Sequence, residues 1–156
     1  MSRVHIHEKV AEPRGSLVMK IYRRGILIET IEEHNIVVNG GRARLAQLIA
    51  GKSTDAVKYI GFGTGGTNPK ISDTNLTNRA LKQIDSSEVV DQDAIFHWTL
   101  ETTEPAFDDP SKNGAMDIRE FALFAADTVM LTHLVRARVT GKDVDMRIEG
   151  TYTLHF

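Results

Sequence analysis

The residues of this chain whose spacing is most typical of a ligand site are Gly61-Phe62-Gly63-Thr64-Gly65-Gly66, a G-x-G-x-x-G match after an apolar segment. In a dinucleotide site such glycines let the backbone approach a pyrophosphate, which the N-terminus of the next helix stabilises. Here Thr67-Asn68-Pro69-Lys70 follows and has no apolar helical periodicity. The sequence therefore predicts a tight structural turn at Gly61, Gly63, Gly65 and Gly66 and no cofactor. A positive φ is expected at Gly63, Gly65 or Gly66.

A second phosphate-binding pattern is incomplete. Gly51-Lys52-Ser53-Thr54 matches the end of a phosphate-binding loop, but the full pattern needs a glycine where Ala46 stands. It also needs a strand before the loop and a helix after it, whereas the helical pattern here comes before the loop. No nucleotide site is predicted.

The histidines offer one candidate metal pair. His5 and His7 are two residues apart, so on a strand they would share a face. A metal site needs at least a third ligand, and Glu8 lies on the opposite parity while the other histidines are scattered along the chain. We predict no metal for a single chain. A metal shared between copies stays open if the N-termini converge on a symmetry axis.

Catalytic groups are not recognisable in the sequence. The loop carboxylates follow no calcium-loop pattern and are expected to be solvated; they are Asp73, Asp91, Asp93, Asp108 and Asp109. There is no G-x-S-x-G motif and no cysteine, so no activated nucleophile is indicated. The chain is predicted not to be an enzyme.

Composition restricts the remaining classes. The 156 residues suit one domain, and a net charge of −2 gives no general attraction to nucleic acid. The basic residues of the C-terminal third are expected to form a solvated face; they are Arg136, Arg138, Lys142 and Arg147. The absence of cysteine excludes disulfides and thiolate zinc sites. No signal peptide or membrane-spanning run is apparent, so we expect a soluble protein made in a cytoplasm, with neither membrane nor nucleic acid as a partner.

Short strand patterns dominate the chain. Leu17–Tyr22 and Ile26–Thr30 flank Arg23-Arg24-Gly25 and predict a hairpin. A helix capped by Asn39 is predicted at about residues 39–50, with Leu45, Leu48 and Ile49 on its buried face and Gly51 as its stop. Residues 57–62 and 95–100 predict further strands, and residues 103–114 a long surface loop.

The firmest pattern lies at the C-terminal end. Residues 118–124 and 129–139 predict paired strands around Ala126-Asp127-Thr128. From Val144 to Phe156 apolar residues and Gly150 alternate with polar ones, a period of two that predicts a strand with one buried face. The predicted fold is mainly β, an antiparallel β-sandwich or barrel-like fold with one short α-helix, in which residues 1–14 form an N-terminal arm and 15–156 the domain.

Four segments in order resemble a module of tail-associated structural proteins of tailed bacteriophages, found in tail fibre attachment domains and in collar or baseplate components. They are Asn35–Arg42 leading into the helix, Tyr59–Gly65 with its "G-x-G-T-G" turn, Pro69–Leu76 with "D-T-x-L", and Ile118–Phe124 followed by Leu131–Arg138 and the last strand. Here we expect Leu76 to fold back onto the core. A generic sandwich that carries a G-T-G turn remains the alternative.

The resemblance implies a non-enzymatic virion protein, made in the host bacterium, that binds other copies of itself and other tail, neck or baseplate proteins. The chain has no fibre shaft after Phe156, so we expect a small adaptor. The N-terminal arm around Val4, His5, Ile6 and His7 and the loop 103–114 are the expected contacts. A receptor- or glycan-binding module of a tail fibre is the alternative function. It would need an exposed aromatic or polar cluster, whereas Tyr22, Trp98 and Tyr152 are expected in the core.

Overall fold

The computed structural model describes residues 13–156, which form one curled sheet of nine antiparallel strands with one α-helix. Strands take up 54% of the chain, which confirms the mainly β, sandwich- or barrel-like prediction. The strands are β1 (Arg14–Arg23), β2 (Ile26–Val37), β3 (Val57–Gly63), β4 (Ala80–Gln83), β5 (Ser86–Val90), β6 (Asp93–Leu100), β7 (Met116–Ala125), β8 (Thr132–Lys142) and β9 (Met146–His155). The helix α1 spans Asn39–Ile49, and a 3-10 turn spans Pro110–Lys112.

The sheet curls until its two ends are joined by one segment. The strand order is β4-β3-β7-β8-β2-β1-β9-β6-β5. The two end strands are consecutive parts of residues 80–90, which pair first with β3 and then with β6. Between them the Ile84 N–H donates to the Lys58 carbonyl at 2.9 Å and the Asp85 N–H to the His97 carbonyl at 2.9 Å. This segment therefore brings the β3 side of the sheet against the β6 side.

Aromatic rings from the two sides meet in the core. The Phe62 ring of β3 packs edge-on against Trp98 of β6, with centroids 5.3 Å apart, and against Phe121 of β7 at 5.8 Å. Such geometry aligns ring edges with ring faces and adds to the burial of these large side chains. Trp98 and Tyr152 are fully buried, as predicted, while Tyr22 is only half-buried.

The alternation in β9 is confirmed. Its buried residues are Met146, Ile148, Gly150, Tyr152 and Leu154. Val144 and Phe156 were predicted to continue the buried face, but they lie outside the strand and are 59% and 50% exposed. Gly150 leaves room for the Trp98 indole, because a Cβ at Gly150 would lie 2.0 Å from the indole Cε2 atom.

The first hairpin is also confirmed. β1 and β2 pair along their whole length around a two-residue turn, Arg24-Gly25, with φ of 50° and 79°. Positive φ at both turn residues is what a two-residue hairpin requires. β1 begins at Arg14, inside the segment predicted as an arm, and pairs there with Ile36 and His155.

The helix differs in detail from the prediction. Val38, not Asn39, occupies the N-cap position, and no side chain caps the first turn. Ile49 is 89% exposed, so its assignment to the buried face was wrong. The buried helix residues are Gly41 and Arg44. Gly51 does end the helix, with φ of 67°.

Arg44 is buried because it joins three segments. Its guanidinium makes a two-pronged contact with the Asp127 carboxylate, at 3.0 and 2.5 Å, and donates to the Asp55 carbonyl at 3.1 Å. Arginine bound in this way to a carboxylate holds both distance and orientation. The helix is thereby fastened to the β7–β8 turn.

Candidate functional site

The glycine-rich segment lies against β7. Gly61 and Gly63 are the last residues of β3, and Gly65 and Gly66 begin the irregular segment 64–79. None of the four has a positive φ, so that expectation was wrong. The glycines run into the irregular segment 64–79 and not directly into a helix.

The glycines are required by close approach instead. A Cβ at Gly63 or Gly65 would lie 2.6 or 2.5 Å from Oε1 of Glu120. At Gly61 it would lie 2.3 Å from the Phe124 ring, and at Gly66 it would lie 2.6 Å from the guanidinium of Arg119. The glycines therefore leave room for side chains of β7. Where a tight turn was predicted, the chain instead packs closely against that strand.

Glu120 is the acceptor around which this segment folds. Its side chain is 5% exposed, and Oε1 accepts the N–H groups of Gly65 at 2.7 Å and Thr77 at 2.9 Å. The Thr64 N–H donates to the Thr77 carbonyl at 2.9 Å. Both ends of the segment 64–77 are therefore tied to one buried carboxylate.

His133 extends the network to the middle of the segment. Its Nε2 lies 2.7 Å from Oε2 of Glu120 and its Nδ1 lies 2.7 Å from Oδ2 of Asp73. The imidazole can donate to both carboxylates only when both ring nitrogens carry protons. We name the cluster Asp73, Glu120 and His133 the acidic latch.

Asp73 was predicted to be a solvated loop carboxylate, and this was wrong. Its side chain is 26% exposed. Burial raises the pKa of Asp73, but the N–H of Lys70 and the ring of His133 outweigh this and hold that pKa below its usual value. The Lys70 N–H donates to Oδ2 at 2.7 Å. A charged carboxylate is therefore part of the folded segment.

A small apolar cluster lies beside the latch. Leu76 folds back as predicted and is 6% exposed. The cluster consists of Val38, Leu76, Ala122, Phe124 and Met130. It joins the start of the helix, the segment 64–79 and the β7–β8 hairpin in one packing unit.

The polar side-chain atoms of Glu120 and His133 all contact protein groups. Both Glu120 oxygens and both His133 nitrogens have protein partners. A cavity of about 190 Å³ adjoins the latch and is lined partly by Lys70, Asn75 and Thr77. In residues 13–156 no three His, Asp or Glu side chains are placed to hold a metal ion. The arrangement holds the segment 64–79 against β7 and β8.

The basic residues of the C-terminal third do not form one solvated face. Arg138 is exposed, but Arg136 and Lys142 are buried, which corrects the prediction. The Lys142 ammonium donates to the carbonyls of Gly114 at 3.0 Å and Thr102 at 3.2 Å. Burial lowers the pKa of Lys142 to about 8. Lys142 thus fastens both ends of the loop 103–114, which forms a loop as predicted.

The other predicted carboxylates and histidines lie apart. Asp109 accepts from the Ser111 N–H at 3.1 Å, and Asp93 contacts His155 at 2.9 Å. His97 contacts Glu88 at 2.9 Å. The predicted arm residues Val4, His5, Ile6 and His7 lie outside the described residues.

Sequence reasoning missed the latch because its members are far apart in the chain. Glu120 lies in a strand whose residues are otherwise mostly apolar, Met116–Ala125, and this was the one available signal. A buried acid in such a strand needs a partner. Its partner His133 had been counted only among the scattered histidines.

None of the helices in the described part of the chain has the length and apolar character needed to cross a bilayer. In comparisons with known proteins, no family model, curated protein or solved structure matches this chain.

Proposed function

We propose that this chain is a non-enzymatic structural subunit of a tailed-bacteriophage virion, made in the cytoplasm of the host bacterium. It is a small tail, collar, neck or baseplate adaptor that assembles into a symmetric oligomer. Its surfaces bind other copies of the chain and other tail, neck or baseplate proteins.

The observation that carries the proposal is the meeting point of the four segments that resemble the phage module. Val38 comes from the first segment, Leu76 from the third, and Ala122 and Phe124 from the fourth, and all are in one apolar cluster. The second segment adds Tyr59, which packs against the cluster. Segments matched separately along the chain are thus one packing unit, which supports the view that the resemblance reflects a shared architecture.

The polar groups of the same region support a structural role. Glu120 and His133 bind backbone and side-chain groups of the segment 64–79. Releasing either of them for proton transfer would unfasten that segment. Their position is therefore better suited to maintaining shape than to turnover.

The glycan-binding alternative has less support. Aromatic side chains that stack on sugars have to be exposed, whereas Trp98 and Tyr152 are 1% and 0% exposed and Tyr22 is half-buried; Phe156, at 50%, is the exposed large aromatic of residues 13–156. Contacts of the adaptor are proposed instead at free strand edges, at the loop 103–114 and at the N-terminal segment 1–14.

The test is detection of the chain in particles. Antibodies raised against the purified chain are applied to density-purified phage particles from bacteria that carry the gene. We expect labelling at one defined place on the tail or neck and a constant copy number per particle. A chain that is expressed during the infection but absent from the purified particles would overturn the proposal.

A further inference from the structure

The outer edge of β2 is a free strand edge. β2 pairs with β1 along its whole length. On its other side it pairs with β8 only through Ile36↔His133 and Val37↔Thr132. Among residues 13–156, residues 26–35 of β2 therefore have no strand partner on their outer side. Unpaired N–H and C=O groups in a row favour pairing with another strand.

A bulge in β8 accounts for the divergence of the two strands. β8 pairs with β7 at Ile118↔Thr140 and again at Glu120↔Val135, so residues 136–139 stand opposite the single residue Arg119. The Arg119 guanidinium donates to the Ala137 carbonyl at 2.9 Å. Such an insertion bends the strand that contains it. β8 therefore cannot follow β2 beyond their two paired residues.

The first residues of the free edge are apolar and exposed. Ile26, Leu27 and Ile28 are 68%, 49% and 52% exposed. Three consecutive exposed aliphatic residues on an unpaired edge are unfavourable for an isolated soluble domain. Their exposure indicates that a partner covers them.

The charges on either side of these residues identify the partner. Arg24, in the hairpin turn, precedes the apolar residues, and Glu32 follows them on β2. Arg23 belongs to β1 and binds Asp143, and Glu33 binds Arg136 of its own chain. The side chain of Arg24 is 77% exposed and Glu32 is also exposed. An edge that is basic at one end and acidic at the other is complementary to itself when it is reversed.

We propose that the edge of β2 binds the same edge of a second copy of this chain, antiparallel and about a two-fold axis at Ile28. In this register Arg24 faces Glu32 of the partner subunit, and the relationship occurs twice because a two-fold contact repeats each pair. Leu27 faces Glu29 of the partner subunit, so no two glutamates oppose each other. The inference rests on the symmetric oligomer of the proposed function and names one of its contact surfaces.

Charge reversal tests the pairing. We expect the purified chain to be dimeric by light scattering at high micromolar concentration. Arg24→Glu and Glu32→Arg should each raise the dimer dissociation constant at least about tenfold, which corresponds to about 1.4 kcal/mol. The double variant should restore dimerisation. Lys58→Glu, which reverses an exposed charge on β3, separated from β2 by β7 and β8, should leave the dissociation constant unchanged.

Restoration by the double variant is the decisive result. Arg24 also contacts Asp145 within its own chain, at 3.2 Å. If Arg24→Glu weakened the dimer only because this contact within the chain is lost, adding Glu32→Arg would not restore dimerisation. A dimer that is unaffected by both single variants, or a strictly monomeric chain, would overturn the interface.

Cross-linking tests the register. The chain has no cysteine, so a single introduced thiol reports one position. Ile28→Cys should form a disulfide-linked dimer on mild oxidation. Val89→Cys, at a 77% exposed position on β5, should stay monomeric on a denaturing gel. Cross-linking of Val89→Cys alone would place the contact on another face and overturn the β2 proposal.

One further variant shows whether a second copy or the chain's own N-terminal segment occupies the edge of β2. Ile28→Cys is repeated in a chain that lacks residues 1–12. Cross-linking that occurs only after this removal would show that the chain's own N-terminal segment covers the edge, and would overturn pairing between copies.

The outcome is independent of particle labelling: a chain present in particles but not paired through Ile28 refutes only this interface. A chain paired through Ile28 but absent from particles refutes only the virion role.

Discussion

The Nε2 atom of His133 on β8 lies 2.7 Å from Oε2 of Glu120 on the neighbouring strand β7, and the two side chains are only 6% and 5% exposed. A buried carboxylate is costly unless it is paired and hydrogen-bonded. Glu120 meets both conditions through His133 and two backbone N–H groups of the segment 64–79. The folded position of that segment and the burial of the Glu120 side chain therefore depend on each other.

Glu120→Ala should be strongly destabilising. It leaves two N–H groups without their acceptor and a buried imidazole without one partner, so we expect a loss of about 3 kcal/mol in the free energy of unfolding. Urea denaturation measures it. Glu88→Ala is the matched control, because it removes an exposed glutamate that also contacts a histidine. A loss no larger than that of the control would contradict the role of Glu120.

Gly65→Ala should destabilise the chain through a steric conflict. The new Cβ would lie 2.5 Å from Oε1 of Glu120 and 2.7 Å from Oγ1 of Thr77. We expect a loss of about 1–3 kcal/mol, the range typical of overpacking. Gly141→Ala is the control, since its Cβ would meet nothing closer than 3.6 Å. Chemical denaturation of both variants tests this, and equal stabilities would refute close approach as the reason for the motif.

Low pH should destabilise the folded segment 64–79 because Asp73 becomes protonated. Its pKa is lowered in the folded chain, so as the pH falls the unfolded chain takes up a proton at this carboxyl first. The stabilisation from Asp73 is therefore complete above the unfolded pKa of about 4 and is lost as the pH falls through the lower folded value.

The variant Asp73→Asn isolates this contribution. Its stability should depend less on pH below about 4 than that of the unaltered chain, as measured by the urea midpoint at several pH values. Asp117→Asn, at an exposed position of β7, should retain the full dependence. Identical pH profiles for Asp73→Asn and the unaltered chain would exclude Asp73 as a source of acid sensitivity.

Arg44→Ala should detach the helix from the β7–β8 turn. The substitution removes a two-pronged contact with Asp127 and a bond to the Asp55 carbonyl. Because Asp127 remains partly exposed, water compensates it in part, and we expect a loss of about 2 kcal/mol. Amide exchange of residues 39–49 should rise. Arg138→Ala, which alters an exposed arginine, is expected to change neither quantity.

Local patterns predicted the parts of the fold that depend on local geometry. The hairpin at Arg24-Gly25 follows from a turn that needs positive φ, and β9 follows from a strict period of two. Both are properties of neighbours in sequence. The short segment 80–90 could not be assigned in this way, since its two halves pair with strands on opposite sides of the sheet.

The errors arose where tertiary contacts decide burial. Ile49 was assigned to the buried helix face from its hydrophobicity, but Arg44 is buried there because Asp127 and Asp55 come to it from outside the helix. Gly63 and Gly65 were correctly identified as special, but for the wrong reason. Their requirement comes from the carboxylate of Glu120, which lies more than fifty residues further along the chain.

The position of β9 has a consequence for how the chain folds during synthesis. β1 pairs with β9 on one side, and β9 pairs in turn with β6. The hairpin of β1 and β2 is made first, but the edge of β1 that pairs with β9 stays unpaired until residues 146–155 have been made. Non-local strand pairing of this kind is slow and leaves apolar surface exposed in the meantime. Until β9 is available, the nascent hairpin therefore keeps an unpaired strand edge, the kind of surface that favours association with other chains.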